Sequence, residues 1–359
     1  MANDSHLMLT TNSQLYDPPG CLPVAGVVTD VIDVLVSGYS LPEGSEPVAC
    51  VDIGGTKVAV NIVDSKGIRG KVAEPSATSG SNDVLAQQII RLIHQSCSLA
   101  GVPVDDIARV GVASCGPFVL RDGLVELAAP NICGGLAGKG RGLPNDWQTA
   151  LLEAPLRAAF DYVRVENDGI GALEAERRWG VLQVEGTPMA NCAYVTWSTG
   201  IGTGLCVDGH VLRGKNGNAG HAGHLFVSDN SDALCGCGNV GDVEGLVAGN
   251  AIARRFAQLG YVDAAALFVA AYAGDTRAAG LIDGLCEVMG RMLYSLIATL
   301  DIQRISIGGS VYWHHRDYLL PRLRAVVQGK LPALTSGCEI VSAGLGERVG
   351  DFGALALVV

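Results

Sequence analysis

In this chain carboxylates, hydroxyls, imidazoles and thiols gather where glycine is dense. Asp52-Ile53-Gly54-Gly55-Thr56-Lys57 places an acid, a hydroxyl and a cation around two glycines. Glycine backbone can approach an anion closely and turn its N–H groups toward phosphate oxygens, and a carboxylate such as Asp52 can hold a magnesium-bound water. The same stretch suits an ordinary Gly-Gly hairpin turn. It is neither a P-loop nor a dinucleotide fingerprint. A second set, Ser198-Thr199-Gly200-Ile201-Gly202-Thr203-Gly204, is another strand-to-strand glycine turn with hydroxyl donors, and Gly308-Gly309-Ser310 follows a later strand. Together the turns make a polyphosphate clamp a better reading than either does alone. Between them, Val163–Asn167 runs into Asp168. A carboxylate at the carboxyl end of a strand can face a crevice and accept a hydroxyl proton. Asn-Asp is equally a helix cap. The last constellation holds His221, His224, Cys235, Cys237, Asp242 and Glu244 within 24 residues. A soft Cys/His set of this kind suits tetrahedral zinc.

Strands and helices must alternate to position these groups. Residues 48–64 read as strand, glycine turn and strand, and Asp83–Ala100 carries apolar residues at helical spacing before a strand over Ile107–Ala113. The plan recurs: a strand over Cys192–Ser198, a turn over Gly200–Gly204, a strand over Thr203–Val207, helices over Val243–Leu259 and Leu281–Leu300, and a strand over Arg304–Ile307. Two α/β lobes, each opening on a strand–glycine turn–strand unit, imply a cleft between them.

Composition excludes several classes. The 359 residues exceed a single ordinary core, and 48% hydrophobic against 17% charged residues is too apolar for disorder. No apolar run reaches the ~20 residues of a membrane span. A net charge of −11 with scattered acids does not advertise nucleic-acid binding. The 48 glycines, nearly twice the usual share of about 7%, fit many tight turns. Eleven dispersed cysteines do not resemble a secreted disulfide framework, and no export signal is readable, so a cytoplasmic location is expected. The first 45 residues contain no Lys or Arg, and residues 24–37 could form a short amphipathic helix or remain a loose tail.

Taken in order, D-x-G-G-T-K at Asp52–Lys57, the Ser114-Cys115-Gly116-Pro117 turn, Pro130-Asn131, Glu166-Asn167-Asp168, Thr199-Gly200-Ile201-Gly202, the H-x-x-H and C-x-C-G loop, and Gly308-Gly309-Ser310 resemble the ROK family of repressors and sugar kinases from about Val48 to Ala356. The resemblance implies an α/β, actin/hexokinase-type (ribonuclease H-like) two-lobed fold with an interlobe cleft. An N-terminal extension (1–45) would precede a small lobe (46–165, joined by 346–359) and a large lobe (166–345). It further implies ATP-dependent phosphorylation of a hexose, glucose or an N-acetylhexosamine such as N-acetylmannosamine, at the 6-hydroxyl. Asp168 would be the general base. Asn131, Asn167, His221, His224 and Glu244 would bind sugar. Asp52 with Mg²⁺, and Gly54, Gly55, Thr56, Lys57, Thr199, Gly200, Gly308 and Gly309, would hold ATP. A homodimer or homotetramer is expected, with no nucleic-acid or membrane partner.

Two departures from the family pattern matter. His221 stands where the family has glutamate, so one donor and one acceptor replace a two-acceptor carboxylate near the sugar's 1- and 2-positions. The same replacement occurs in bacterial N-acetylmannosamine kinases and favours a 2-modified sugar. Asp242 stands where the family has the last zinc-loop cysteine, and His224, Cys235, Cys237 and Asp242 can still complete a tetrahedron around structural Zn²⁺. The alternative is a loop held by hydrogen bonds alone. Two other functions compete with the kinase: a sugar-sensing transcriptional regulator of the same family, opposed by the acidic extension, and a non-catalytic sugar-binding protein, opposed by the presence of both Asp52 and Asp168.

Overall fold

The computed structural model describes residues 38–136, 142–229 and 233–359, so the helix expected over 24–37 lies outside the described residues. The first half contains β1 (Val48–Ile53), β2 (Lys57–Asp64), β3 (Gly67–Pro75), β4 (Arg109–Ser114), β5 (Phe118–Arg121), β6 (Leu124–Leu127), β7 (Ala150–Leu151) and β8 (Val163–Asn167). Its main sheet has the order β3-β2-β1-β4-β8, while β5, β6 and β7 form a small sheet beside it. β1 and β2 pair antiparallel around the Gly54-Gly55 turn, and β4 and β8 add in parallel. Helix α1 (Val84–Ala100) covers one face. Its Leu85, Ile89, Leu92 and Ile93 are fully buried there, each contributing about 1.5–3 kcal/mol over exposure. Helix α2 (Glu153–Ala159) leads into β8.

The second half repeats this order. After α3 (Asp168–Trp179) and a ribbon of β9 (Gln183–Val184) and β10 (Thr187–Pro188) come β11 (Cys192–Trp197), β12 (Ile201–Val207) and β13 (His210–Val211). The helices α4 (Val243–Val247), α5 (Gly249–Phe256), α6 (Ala264–Tyr272) and α7 (Thr276–Leu300) follow. The chain finishes with β14 (Arg304–Gly308), α8 (Ser310–Trp313), α9 (Arg316–Gln328), α10 (Pro332–Thr335), β15 (Glu339–Ser342) and α11 (Val349–Ala356). The second sheet runs β13-β12-β11-β14-β15, the same hairpin-then-parallel plan as the first.

Each half lends a helix across the seam. α3 leaves β8 of the first sheet, yet Ala172 and Leu173 pack with Cys192, Tyr194 and Cys206 of the second. α11 leaves β15, yet Phe352 and Leu355 pack with Val48 and Cys50 of the first. The two helices cross where a Cβ on Gly353 would lie 3.2 Å from the Gly171 carbonyl carbon. Fully buried Glu176 of α3 accepts hydrogen bonds from the amides of Val181 (3.0 Å), Gly344 (3.0 Å) and Leu345 (2.8 Å) and from Ser306 Oγ (3.3 Å). It pins α3 to the second sheet and to the segment that returns to the first.

Several expected boundaries move, for local reasons. The strand expected from Ile107 starts at Arg109, because the Ile107 amide closes a turn on the Val104 carbonyl (3.1 Å). The expected turn over Gly200–Gly204 is shorter, since Ile201 to Gly204 pair with β11; a Cβ on Gly204 would meet Leu173 Cβ at 2.6 Å, so that glycine serves packing. The helix expected over Val243–Leu259 divides between α4 and α5, where the Gly249 amide leaves the helical ladder to donate to the Ser198 carbonyl (2.8 Å). Among the described residues no helix is long and apolar enough to cross a membrane.

Candidate active site

Asp168 opens α3 directly after β8, so the parallel strand delivers its carboxylate to the seam between the sheets. The helix cap is Asn167, whose Oδ1 accepts from the Gly169 amide (3.0 Å); Asp168 Oδ1 accepts from the same amide (2.8 Å). Asn167 holds the cap position, and Asp168 shares the Gly169 amide through Oδ1, which leaves its Oδ2 outside that bond. Burial raises its pKa first and the negative charge of Asp52 second, while its backbone hydrogen bonds oppose them and Glu244 adds a little; the result is pushed up to about 7. Asp52, near the end of β1, is itself held above the ordinary carboxylate range by burial and by Asp351 of α11, with Lys57 and Lys71 opposing. Asp168 thus feels the charge of two other carboxylates, Asp52 of the first sheet and Glu244 of the second half.

The glycine turns belong to both halves, and a Cβ on Gly202 would lie 3.9 Å from Asp168 Oδ1. On the first lobe the Gly54 amide donates to the Lys57 carbonyl (2.8 Å), Gly55 packs against the Asn131 carboxamide, and Thr56 and Lys57 are exposed. On the second lobe Ser198 Oγ and Ser310 Oγ share a hydrogen bond (2.9 Å), which joins the Thr199-Gly200 turn to the Gly308-Gly309 turn. Gly309 has φ +90°, open to glycine but strained for other residues, and a Cβ there would lie 2.6 Å from Thr196 Oγ1. A cavity of about 220 Å³ beside the Thr199 turn is lined by Thr199, Glu244, Asn250 and Arg254 among others.

A third wall comes from the loops after β4 and β13. His221 lies against Gly116, where a Cβ would sit 2.7 Å from His221 Nε2 and 3.3 Å from Asn167 Nδ2. Burial and the neighbouring His224 hold the His221 pKa below the ordinary value, which favours a neutral ring. Glu244 Oε2 accepts from the Ile201 amide (2.9 Å), and its Oε1 faces Cys235 Sγ (3.4 Å). Asn131, expected beside the sugar, lies against the Gly54-Gly55 turn.

The His/Cys cluster forms next to Glu244. His224 Nδ1 lies 3.0 Å from Asp242 Oδ2, 3.8 Å from Cys235 Sγ and 3.7 Å from Cys237 Sγ, and Cys237 Sγ lies 3.8 Å from Asp242 Oδ2. One donor atom from each of the four residues lies within 4.8 Å of the others. Metal–ligand lengths of about 2.0–2.3 Å put the corners of a tetrahedron about 3.3–3.8 Å apart, so the set fits zinc. Asp242 Oδ1 meanwhile caps α4 through the Gly245 amide (2.7 Å), which leaves Oδ2 for the cluster. Burial would raise the Asp242 carboxyl, but the hydrogen bonds from His224 and Gly245 win and hold it below the ordinary range; its bond in turn raises His224.

The ROK family profile matches residues 48–359. The chain belongs to the ROK family. It is 30% identical over 331 residues to a glucokinase of Aeropyrum pernix, covering 86% of this chain and 96% of the relative. It is 31% identical over 268 residues to an N-acetylmannosamine kinase of Escherichia coli O157:H7, covering 73% and 82%. Its fold is similar to the crystal structure of a ROK hexokinase from Thermus thermophilus, with TM-score 0.67, 30% identity, and 87% and 97% of the two chains covered. The fold is that of the actin/hexokinase type.

In this ROK chain, sequence reading had missed Asp351, which presses on Asp52 from 299 positions away and carries no local signal; it quoted Gly116 only as part of the Ser114–Pro117 turn, without the contact by which its missing side chain admits His221. Cys115 also senses both Asp52 and Asp168; burial and their charge push its thiol far up, so it stays protonated. Ser310, quoted only as the end of a glycine turn, proves to be the hydroxyl that couples two turns.

Proposed function

We propose that this protein is an ATP-dependent sugar kinase that phosphorylates the 6-hydroxyl of a hexose, with a 2-acetamido sugar of the N-acetylmannosamine type as the first candidate and glucose as the second. The observation that carries the reading is Asp168: a buried carboxylate following β8, pushed up to about 7, with Gly202 of the second sheet against it and the charge of Asp52 of the first acting on it. In the reaction the sugar oxygen attacks the γ-phosphorus, its proton passes to an Asp168 oxygen, the bond to the β–γ bridging oxygen breaks, and ADP leaves. A transition state of this kind is loose, so most of the acceleration comes from holding the two substrates in line.

Backbone amides of the Gly54-Gly55-Thr56, Thr199-Gly200 and Gly308-Gly309 turns would hold the phosphates, with Lys57 adding charge. The contact between Gly55 and Asn131 supports the reading, because the hydroxyl that receives a phosphoryl group must lie beside the phosphate site. Asp52 would hold Mg²⁺ through water, and the negative charge that Asp351 places on Asp52, and Asp52 and Glu244 on Asp168, suits a cation there. That ion would neutralise charge on the transferring phosphoryl group. Asn131, Asn167, His221, His224 and Glu244 would bind sugar hydroxyls. His221 favours a 2-acetamido group because a neutral imidazole can match an amide with one donor and one acceptor. Zinc on His224 Nδ1, Cys235, Cys237 and Asp242 would fix the loop and leave His224 Nε2 for the sugar. The same reading takes 46–165 with 346–359 as one lobe and 166–345 as the other, joined where β8 runs into α3, and the working form as a cytoplasmic homodimer or homotetramer.

The test is ADP release across a panel of glucose, mannose, N-acetylglucosamine and N-acetylmannosamine. At least one should support turnover, and Asp168→Asn should lower kcat by about 10²–10⁴-fold with sugar binding kept. No turnover with any hexose, or full turnover in that variant, overturns the reading.

A further inference from the structure

We propose that Asn218 is a positioning residue for sugar discrimination: its carboxamide clasps the first lobe's 116–118 turn against the second lobe's His221 loop. The proposal rests on the reading of His221 as a sugar-facing group.

Residues 118 and 218 are 100 positions apart, yet they exchange two hydrogen bonds. The Phe118 amide donates to Asn218 Oδ1 (2.7 Å), and Asn218 Nδ2 donates to the Phe118 carbonyl (2.7 Å). The carboxamide presents to the first residue of β5 the donor and acceptor that a neighbouring strand would present. Gly217 reinforces the contact, since a Cβ there would lie 3.3 Å from Phe118 Cδ2, and the Phe118 side chain is buried.

The clasp sits between the two parts of the third wall. Two residues before Phe118 is Gly116, against which His221 Nε2 rests; three residues after Asn218 is His221 itself. The His221 loop is anchored to its own lobe independently, because the Gly220 carbonyl accepts from both the Thr203 amide and the Thr203 hydroxyl, and the Ala219 amide donates to the Arg213 carbonyl (3.0 Å). What Asn218 adds is the link from that fixed loop to the opposite lobe. Hydrogen bonding falls off steeply with distance and angle, so a gap that drifts at Gly116 would blunt whatever His221 reads on the sugar.

The experiment compares Asn218→Ala and Asn218→Asp with the parent chain. It reads the thermal midpoint, KM for ATP, kcat/KM for two sugar pairs differing at carbon 2 (N-acetylmannosamine with mannose, N-acetylglucosamine with glucose), and hydrogen exchange of the Phe118 amide. Asn218→Ala should speed exchange at Phe118, raise KM for the preferred sugar about tenfold, as loss of one or two neutral hydrogen bonds would, and move the preferred pair's ratio toward one. KM for ATP should stay within about twofold. Asn218→Asp keeps the acceptor for the Phe118 amide but turns a carboxylate oxygen toward the Phe118 carbonyl, so it should weaken the clasp and move the sugar ratio in the same direction as the alanine variant. Faster Phe118 exchange with the sugar ratio unchanged overturns the proposal. So does a parallel rise of both KM values with a lower midpoint, the mark of general loosening. A His221→Ala variant that leaves the ratio untouched overturns the His221 reading beneath it, while the Phe118 exchange result separately reports whether the clasp exists.

Discussion

Asp168 carries a conflict between stability and chemistry. Burial and Asp52 both favour its neutral form, whereas the base proposed above must be ionised. The kcat/KM of phosphorylation should therefore be level above about pH 7 and fall with unit slope below it, measurable as initial rates from about pH 5.5 to 8.5. The sign for stability is opposite. The folded pKa of about 7 lies above the unfolded value of about 3.9, so the folded state binds the extra proton and stability declines as pH rises between the two. Asp168→Asn should accordingly raise the thermal midpoint at pH 8, and the gain should vanish near pH 4. A midpoint at pH 8 that falls instead would show the carboxylate to be a structural anchor.

At the scale of elements, the His224, Cys235, Cys237 and Asp242 cluster touches Glu244, so the proposed zinc would act on the proposed sugar site through that carboxylate. Its Oε1 faces the Cys235 thiol, and a metal-bound thiolate has no proton to place there. Zinc would thus release one Glu244 oxygen for a hydroxyl. Protein purified without chelator should hold about one zinc per chain by elemental analysis. Asp242→Asn, which keeps the cap on Gly245, should lose metal and raise the sugar KM. Asp242→Ala should lose in addition about 1 kcal/mol of stability with the cap, read by denaturant unfolding. Much of this level was legible in the sequence, because the β1–β2 hairpin, α1 and the His/Cys spacing are local patterns of period, turn chemistry and ligand type. The break between α4 and α5 was not, since it is made by Ser198, some 50 positions away. The meeting of Gly116 with His221 was hidden likewise: only folding brings those loops together.

For the whole molecule, the recurrence of strand–glycine turn–strand was readable, and from it two lobes and a cleft. The exchange of α3 and α11 between lobes was not, because an apolar helix does not announce which sheet it will cover. Gly111 of β4 tests that exchange: a Cβ there would run into the Ala354 carbonyl of α11. Gly111→Ala should cost about 1–3 kcal/mol by overpacking, seen as a lower thermal midpoint. An unchanged midpoint would mean that α11 rides loosely on the sheet.

α11 bears on synthesis as well. The first lobe's strands are all made by residue 167, yet Val48 and Cys50 wait for Phe352 and Leu355 to cover them. A nascent chain must carry that uncovered sheet until residues 349–356 leave the ribosome, and throughout that interval the early half is a natural client for chaperones.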